Sequence, residues 1–226
     1  MREENLARQT YFQTNLSDPY FLSLQPMFVV LEAVSKYATG DLLDIGCGNK
    51  PYKKLFAGTE KYVGCDIAQS SERSVDVICD ATNIALQSEF FETVFSTQTV
   101  EHVAEPKLLC CEAFRLLKSG GYFIVAGPMY WHLHEEPFDF YRFTKYGFRH
   151  LLETVGFEVV EIHSNGGKWA MLGLVLIHTL QDKLLKRRRI LRQINRLFAY
   201  LDKKYFDDFN TSNYVVVARK PQVLLT

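Results

Sequence analysis

Apolar positions along this chain follow two alternating rhythms. Short runs rich in Val, Ile, Leu, Phe and Tyr, bounded by turn residues, fall at 41–46 (DLLDIG), 61–67 (KYVGCDI), 75–79 (VDVIC), 92–97 (ETVFST) and 121–127 (GYFIVAG). Their length and composition predict strands. Helical spacing marks 26–38 (PMFVVLEAVSKYA), 105–118 (EPKLLCCEAFRLLK) and 144–155 (TKYGFRHLLETV). Pro106 suits a first helical turn, and Ser119-Gly120-Gly121 reads as the stop. Thr144 reads as an N-cap and Gly156 as a C-cap. Strand and helix in alternation predict a mostly parallel sheet with helices on both faces.

The rhythm changes after residue 156. A strand at 157–163 (FEVVEIH) is followed by a long insertion and then by a last strand at 213–220 (NYVVVARK). No helical crossover separates that strand from the end, so the last two strands are expected to be antiparallel to each other. The expected organisation is one domain over 1–226. It comprises an N-terminal helical cap (1–40), a core (41–165), a helical insertion (166–210) and a last strand with its tail (211–226).

Composition narrows the partners. Twenty-six basic residues balance 26 acidic ones, so no global charge draws the chain to nucleic acid. Five cysteines without CxxC or zinc spacing read as reduced thiols, with Cys47, Cys65 and Cys79 in or beside strands. The polar opening residues lack the apolar core of a secretion signal, and no apolar run reaches the length of a membrane span. A cytoplasmic protein, in solution or peripheral to a membrane, is expected.

The stretch LLDIGCGNKPY carries the first chemical signal. A dinucleotide loop wants G-x-G-x-x-G, but after Gly46 and Gly48 the third glycine is replaced by Pro51. A phosphate loop fails because no G-K-[ST] follows. Asp44, Asp66 and Asp80 stand at the ends of three successive strands. Three carboxylates at one sheet edge repel a pyrophosphate and suit a ligand bearing an ammonium and a sulfonium. S-adenosylmethionine is such a ligand, with Asp44 near its ammonium, Asp66 on its ribose and Asp80 on its adenine amine. Gly46 and Gly48 would admit it close to bare backbone.

The pieces LLDIGCGNKPY, YVGCDI, VICDATNIAL, FETVFSTQTVEHVAEP, EAFRLLKSGGYFIVAGP and LLETVGFEVVEI follow one another over about residues 40–162. In this order the chain resembles a class I S-adenosylmethionine-dependent methyltransferase of the small-molecule type, similar to those acting on glycan or lipid-linked intermediates. The resemblance implies a Rossmann-like, doubly wound α/β fold. Its seven-stranded, mostly parallel sheet would end in an antiparallel last strand, with the helical insertion near the C-terminus. It places Asp44, Gly46, Cys47 and Gly48 on the methionine side of the cofactor and Asp66 with Ile67 on the ribose and adenine. Asp80 and Ala81 would meet the adenine edge, and Thr97 and Gln98 would lie beside the cofactor. Asn49 and Lys50 depart from the small third residue of many relatives, and Glu92 replaces a common Asp.

Two stretches could carry the acceptor chemistry. In TQTVEHV, Glu101 and His102 follow the fourth strand. In GPMYWHLHEEPFDFYRFT, the residues Pro137, Asp139, Tyr141, Arg142, Phe143 and Thr144 match a run found in relatives acting on sugars. His102, His132 and His134 are the candidate bases for O-methylation. Tyr130, Trp131, Glu136, Asp139, Tyr141 and Arg142 are the candidate substrate residues, the aromatics suiting a ring face. Asp139 and Arg142 read equally as an internal ion pair. The H-x-H-E-E string could chelate a metal, but none is expected from the resemblance. N-methylation of a small amine and a non-catalytic cofactor-binding scaffold are the alternatives.

The insertion joins an apolar run, 169–180, to an amphipathic segment. Leu184, Leu191 and Phe198 recur every seven residues, with Leu180, Ile194 and Leu201 beside them. Lys186, Arg188, Arg189, Arg192 and Arg196 mark the other face. The stripe either packs on the domain, forms a homodimer interface, or gives peripheral membrane contact through 169–201.

Overall fold

In a computed structural model the described residues are 14–222, so the first part of the expected N-terminal cap lies outside them. Seven strands form one sheet: β1 (Asp41–Ile45), β2 (Lys61–Asp66), β3 (Val77–Ile78), β4 (Phe91–Thr97), β5 (Leu117–Pro128), β6 (Glu158–Asn165) and β7 (Asn213–Arg219). Their spatial order is β3-β2-β1-β4-β5-β7-β6. β7 is wedged between β5 and β6 and runs opposite to both, while the β3-β2-β1-β4-β5 pairs are parallel. The expected antiparallel last strand is therefore an interior strand, Val215 to Ala218 being wholly buried.

Alternation along the central strands sends side chains to two cores. Leu43, Ile45, Val94, Phe123, Val125 and Val216 face α2 (Pro106–Leu116) and α3 (Lys145–Glu153). Leu42, Phe95, Ile124, Ala126, Val215 and Val217 face α1 (Phe21–Val34) and Phe56 of the short turn Lys53–Phe56. Only that 3-10 turn, and no α-helix, links β1 to β2.

Three boundaries differ from expectation. α1 begins at Phe21 and contains Pro26, which the sequence reading placed at its first turn. β5 starts at Leu117, directly after α2 ends at Leu116. Gly120 thus lies within the strand at φ +84° and does not stop the helix. β3 is only two residues long, so Asp80 lies in the turn beyond it, bridged to Asn83.

The insertion folds as α4 (Lys168–Thr179), α5 (Gln181–Leu185) and α6 (Arg188–Lys204). Its apolar stripe points inward: Leu184 and Leu191 are buried with Leu22, Ala170 and Ile177, and Leu180, Ile194 and Phe198 pack around them. Of the three readings of the stripe, packing is the one observed. α6 also supplies the cap that α4 lacks. The buried Asp202 carboxylate accepts the N–H groups of Gly167, Trp169 and Ala170 at 3.0, 3.1 and 2.9 Å. These are orphan donors of a helix N-terminus, where negative charge is favoured. Among the described residues no helix is long and apolar enough to cross a membrane.

Candidate active site

Two adjoining cavities at the carboxyl edge of the sheet form one cleft and share Gly46, Asp66, Thr99 and His102. Asp44, Gly48, Thr97, Gln98, Trp131, His134 and Glu135 line the first cavity, together with Ser23 and Met27 of α1. Ile67, Asp80, Ala81 and Phe138 line the second. The lining holds five carboxylate residues, Asp44, Asp66, Asp80, Glu105 and Glu135, and no Lys or Arg.

The two glycines of the turn do different work. A Cβ on Gly46 would lie 2.0 Å from Thr99 Oγ1, so packing against the turn after β4 requires that glycine. A Cβ on Gly48 would meet nothing within 4 Å. Its bare backbone, at φ +47°, faces open space. Asp66 straps the turn: its Oδ2 accepts the Gly48 N–H at 2.9 Å and its Oδ1 the Ile67 N–H at 2.7 Å. Asp44 accepts the Tyr62 hydroxyl at 2.6 Å. Burial pushes its carboxyl up to about 7, although the Tyr62 bond pulls the other way. The Cys47 side chain is buried away from solvent, and burial pushes its thiol well above the usual range. Asp80 caps its own turn by accepting the Thr82 N–H and hydroxyl.

Asn49 and Lys50, the departures in the turn, bind it to the loop before β3. Asn49 donates to Ser71 Oγ and accepts from the Glu72 N–H, and the Lys50 ammonium pairs with Asp76. Glu92 accepts the Asp41 N–H at 2.8 Å and pairs with Lys118.

The opposite wall is the loop after β5. Arg142 organises it. Its Nε donates to Trp131 O, its two terminal nitrogens chelate both oxygens of Asp139, and their other N–H groups reach the carbonyls of Tyr141 and His132. These five bonds account for all five guanidinium donors. Burial pushes the Asp139 carboxyl up, but Arg142 and the His134 N–H together hold it well below the usual carboxylate range. Of the two readings of this pair, the geometry is that of an internal brace, with no donor left for a substrate. Tyr141 donates to Ala104 O at 2.8 Å. Neither Tyr130, Glu136 nor His132 lines the cleft. His132 instead sits against His178 of α4, Nδ1 to Nδ1 at 3.3 Å, with Trp131 stacked beside it and Tyr20 behind Trp131.

Four side chains converge where the two walls meet. His102 Nδ1 is 2.8 Å from Phe138 O, and its Nε2 is 3.9 Å from Glu101 and 3.8 Å from Glu135. The His102 and His134 rings are 4.7 Å apart. His134 Nδ1 meets Asp139 Oδ2 at 3.2 Å. Burial pushes His134 down to about 4, with His102 adding to the effect. Glu101 is completely buried and neither carboxylate oxygen has a hydrogen-bond partner. Burial pushes it up to about 8. The sequence singled out His102 and His134 as bases and offered Glu135 as a base or hydroxyl-binding residue, but gave no role to Glu101, Tyr62, Thr99 or His178. Only the E-H-V string hinted at Glu101.

Residues 43–125 match the family model described as a methyltransferase domain. No curated protein matches the sequence. A S-adenosylmethionine-dependent methyltransferase of Archaeoglobus fulgidus superposes with a TM-score of 0.59 at 19% identity, over 87% of this chain and 94% of that one. Phosphoethanolamine N-methyltransferase 2 of Haemonchus contortus gives 0.59 at 18% identity, over 98% of this chain and 60% of that one. The [4+2]-cyclase SpnF gives 0.60 at 16% identity, over 96% and 87%. The fold is the Rossmann-like fold these proteins share, and a fold alone does not fix a reaction. The match over residues 43–125 supports a methyltransferase that uses S-adenosylmethionine. The cleft fits that group: bare backbone at Gly48, carboxylates on both cavities and no competing cation.

Proposed function

We propose that the protein methylates a hydroxyl of a sugar-like or lipid-linked small molecule. S-adenosylmethionine supplies the electrophilic methyl group. Asp44, Gly46, Cys47, Gly48, Thr97 and Gln98 would surround its methionine part. Asp66 and Ile67 would hold the ribose, and Asp80 and Ala81 the adenine edge. Trp131 offers the acceptor an apolar ring face beside that pocket.

The observation that carries this reading is the cluster of His102, His134, Glu101 and Glu135 at the junction of the walls. An alcohol is a weak nucleophile until its proton is taken, and a cluster of imidazoles and carboxylates suits that step. His102 and His134 take the role of handling that proton. His132, Tyr130 and Glu136 lie outside the cleft lining, and Asp139, Tyr141 and Arg142 hold the loop's shape. The test is methyl transfer to panels of sugars, lipid-linked glycans and amines, for the parent and for His102→Asn and His134→Asn. Labelled O-methyl product that falls at least tenfold in both variants is expected. Product on amines alone, or full turnover in both variants, overturns the reading.

A lipid-linked acceptor is favoured by charge. Lys186, Arg187, Arg188, Arg189, Arg192 and Arg196 are exposed around Leu185, Ile190 and Leu197, which are 41%, 45% and 54% exposed. Such a face suits an anionic bilayer surface. Flotation with anionic but not neutral vesicles is expected, and no binding to either counts against it.

A further inference from the structure

We infer that Glu101, His102 and His134 form a binding site for a divalent cation of the zinc, manganese or iron class, with Glu135 as a further ligand. The inference rests on the reading of this cluster as the acceptor pocket, and in it the two imidazoles help the acceptor lose its proton as ligands of a cation in place of acting as bases.

One donor atom from each of Glu101, His102 and His134 lies within 4.8 Å of the others. The arrangement of protons makes this more than a coincidence of side chains. His102 Nδ1 faces the Phe138 carbonyl, which can only accept, so Nδ1 carries the hydrogen and Nε2 carries a lone pair. His134 Nδ1 faces the Asp139 carboxylate, so its Nε2 likewise carries a lone pair. Asp139 is itself clamped by Arg142, which fixes the ring behind it. An imidazole whose second nitrogen donates to a carbonyl or a braced carboxylate is the usual support of a metal ligand. Glu101, fully buried in the middle of the group, finds no hydrogen-bond donor at all. Two imidazoles and the unpartnered Glu101 carboxyl therefore bring donor atoms together in one place, with Glu135 3.8 Å from His102.

A cation answers them all. The measured separations of 3.8 and 3.9 Å from His102 Nε2 to the two carboxylates exceed the roughly 3.4 Å between tetrahedral donors at about 2.1 Å from a metal. Closing those two gaps takes about half an ångström of side-chain movement, and the other donor pairs, within 4.8 Å, close by up to about 1.4 Å. Two imidazoles with carboxylates suit zinc, manganese or iron(II) better than magnesium or calcium, which prefer all-oxygen shells. Since His102, His134 and Glu135 line the cleft, an open position would face the acceptor. There the cation would lower the pKa of a bound hydroxyl.

The test is cobalt(II) titration of untagged, chelator-stripped full-length protein, without acceptor or cofactor, read by visible absorption and by metal analysis. One cobalt per chain with a ligand-field band is expected. Affinity should fall at least about tenfold in Glu101→Gln, His134→Ala and the gentler Asp139→Asn, and should be unchanged in His163→Gln. S-adenosylhomocysteine binding checks that each variant is folded. No band, or equal binding in all variants, overturns the inference. Cobalt bound as expected with no O-methylation of any acceptor would leave the metal site standing and remove the acceptor reading. Full O-methylation by stripped protein that binds no cobalt would do the reverse.

Discussion

The wall bearing Gly46, Gly48 and Asp66 and the wall bearing Trp131, His134 and Glu135 face each other across one cleft, held by different bonds. The first is backbone geometry. Its turn bends at φ +77° and +47°, is strapped by one carboxylate, and draws on neighbouring strand ends. The second is side-chain chemistry. One guanidinium reaches three carbonyls and a carboxylate, and α1 and α4 close behind it. A wall of the first kind tolerates side-chain exchange and fails when a Cβ is added. A wall of the second kind fails when a single charge is removed.

The sharpest way to break this contrast is the glycine pair. Gly46→Ala should cost about 3 kcal/mol or more, from the left-handed backbone and the collision with Thr99. Gly48→Ala should cost about 1 kcal/mol in stability yet weaken S-adenosylmethionine binding at least about tenfold, because its Cβ enters only the ligand's space. Chemical denaturation and calorimetry separate the two. Equal losses of stability would mean that the turn is not built as described. On the opposite wall, Asp139→Ala strands the Arg142 guanidinium and should cost about 2–3 kcal/mol. It should lower kcat while leaving S-adenosylhomocysteine affinity within about threefold, because no atom of Asp139 lines the cofactor's cavities. A large affinity loss would show the walls to be one unit. Asp202→Ala should cost about 2 kcal/mol by uncapping α4. Thermal unfolding measures it, and Asp202→Asn should recover part of the loss.

The smallest effect is one of pH. The Asp44 carboxyl is raised to about 7, beside Tyr62, Asp66, Cys47 and Lys50. A bound ammonium favours its ionised form, so cofactor binding should release a proton and weaken as pH falls below about 7. The sign for stability is opposite. A raised carboxyl favours the folded state at low pH, and that contribution is lost as pH climbs from about 4 to about 7. Calorimetry in buffers of different ionisation heat checks the proton release, and Asp44→Asn should abolish it.

The same contrast decides what was legible in the sequence. Backbone geometry leaves its mark within a few adjacent residues, so LLDIGCGNKPY and the acids at the ends of β1 and β2 announce the first wall. Its parallel strands were readable from short apolar runs. The second wall depends on residues far apart in the chain. His178 meets His132 across 46 positions, and Tyr20 meets Trp131. Nothing local in WAMLGLVLIHTL signals that its histidine turns toward the cleft's back. The bracing role of Asp139 and Arg142 became apparent only when every guanidinium donor could be counted. Pro26 misled because proline usually sits in a first turn, whereas α1 carries it in the interior. The abrupt change from α2 to β5 was hidden by Ser119-Gly120-Gly121, which look like a stop but lie within the strand.

The wedged position of β7 has a consequence in time. Ser212, just before it, accepts the N–H groups of Met129 and Tyr130, and Asn213 at its start accepts from Gln98. The roots of the loops after β4 and β5 are thus tied by residues made after the whole insertion. A nascent chain that has finished β5 and β6 holds two strands with an empty lane between them. In such a chain the glycine turn is already made, while the residues that bind Gln98, Met129 and Tyr130 are still to come. Synthesis therefore delivers the wall of the glycine turn first, and β7 arrives afterwards to fix the loops that carry the opposite wall.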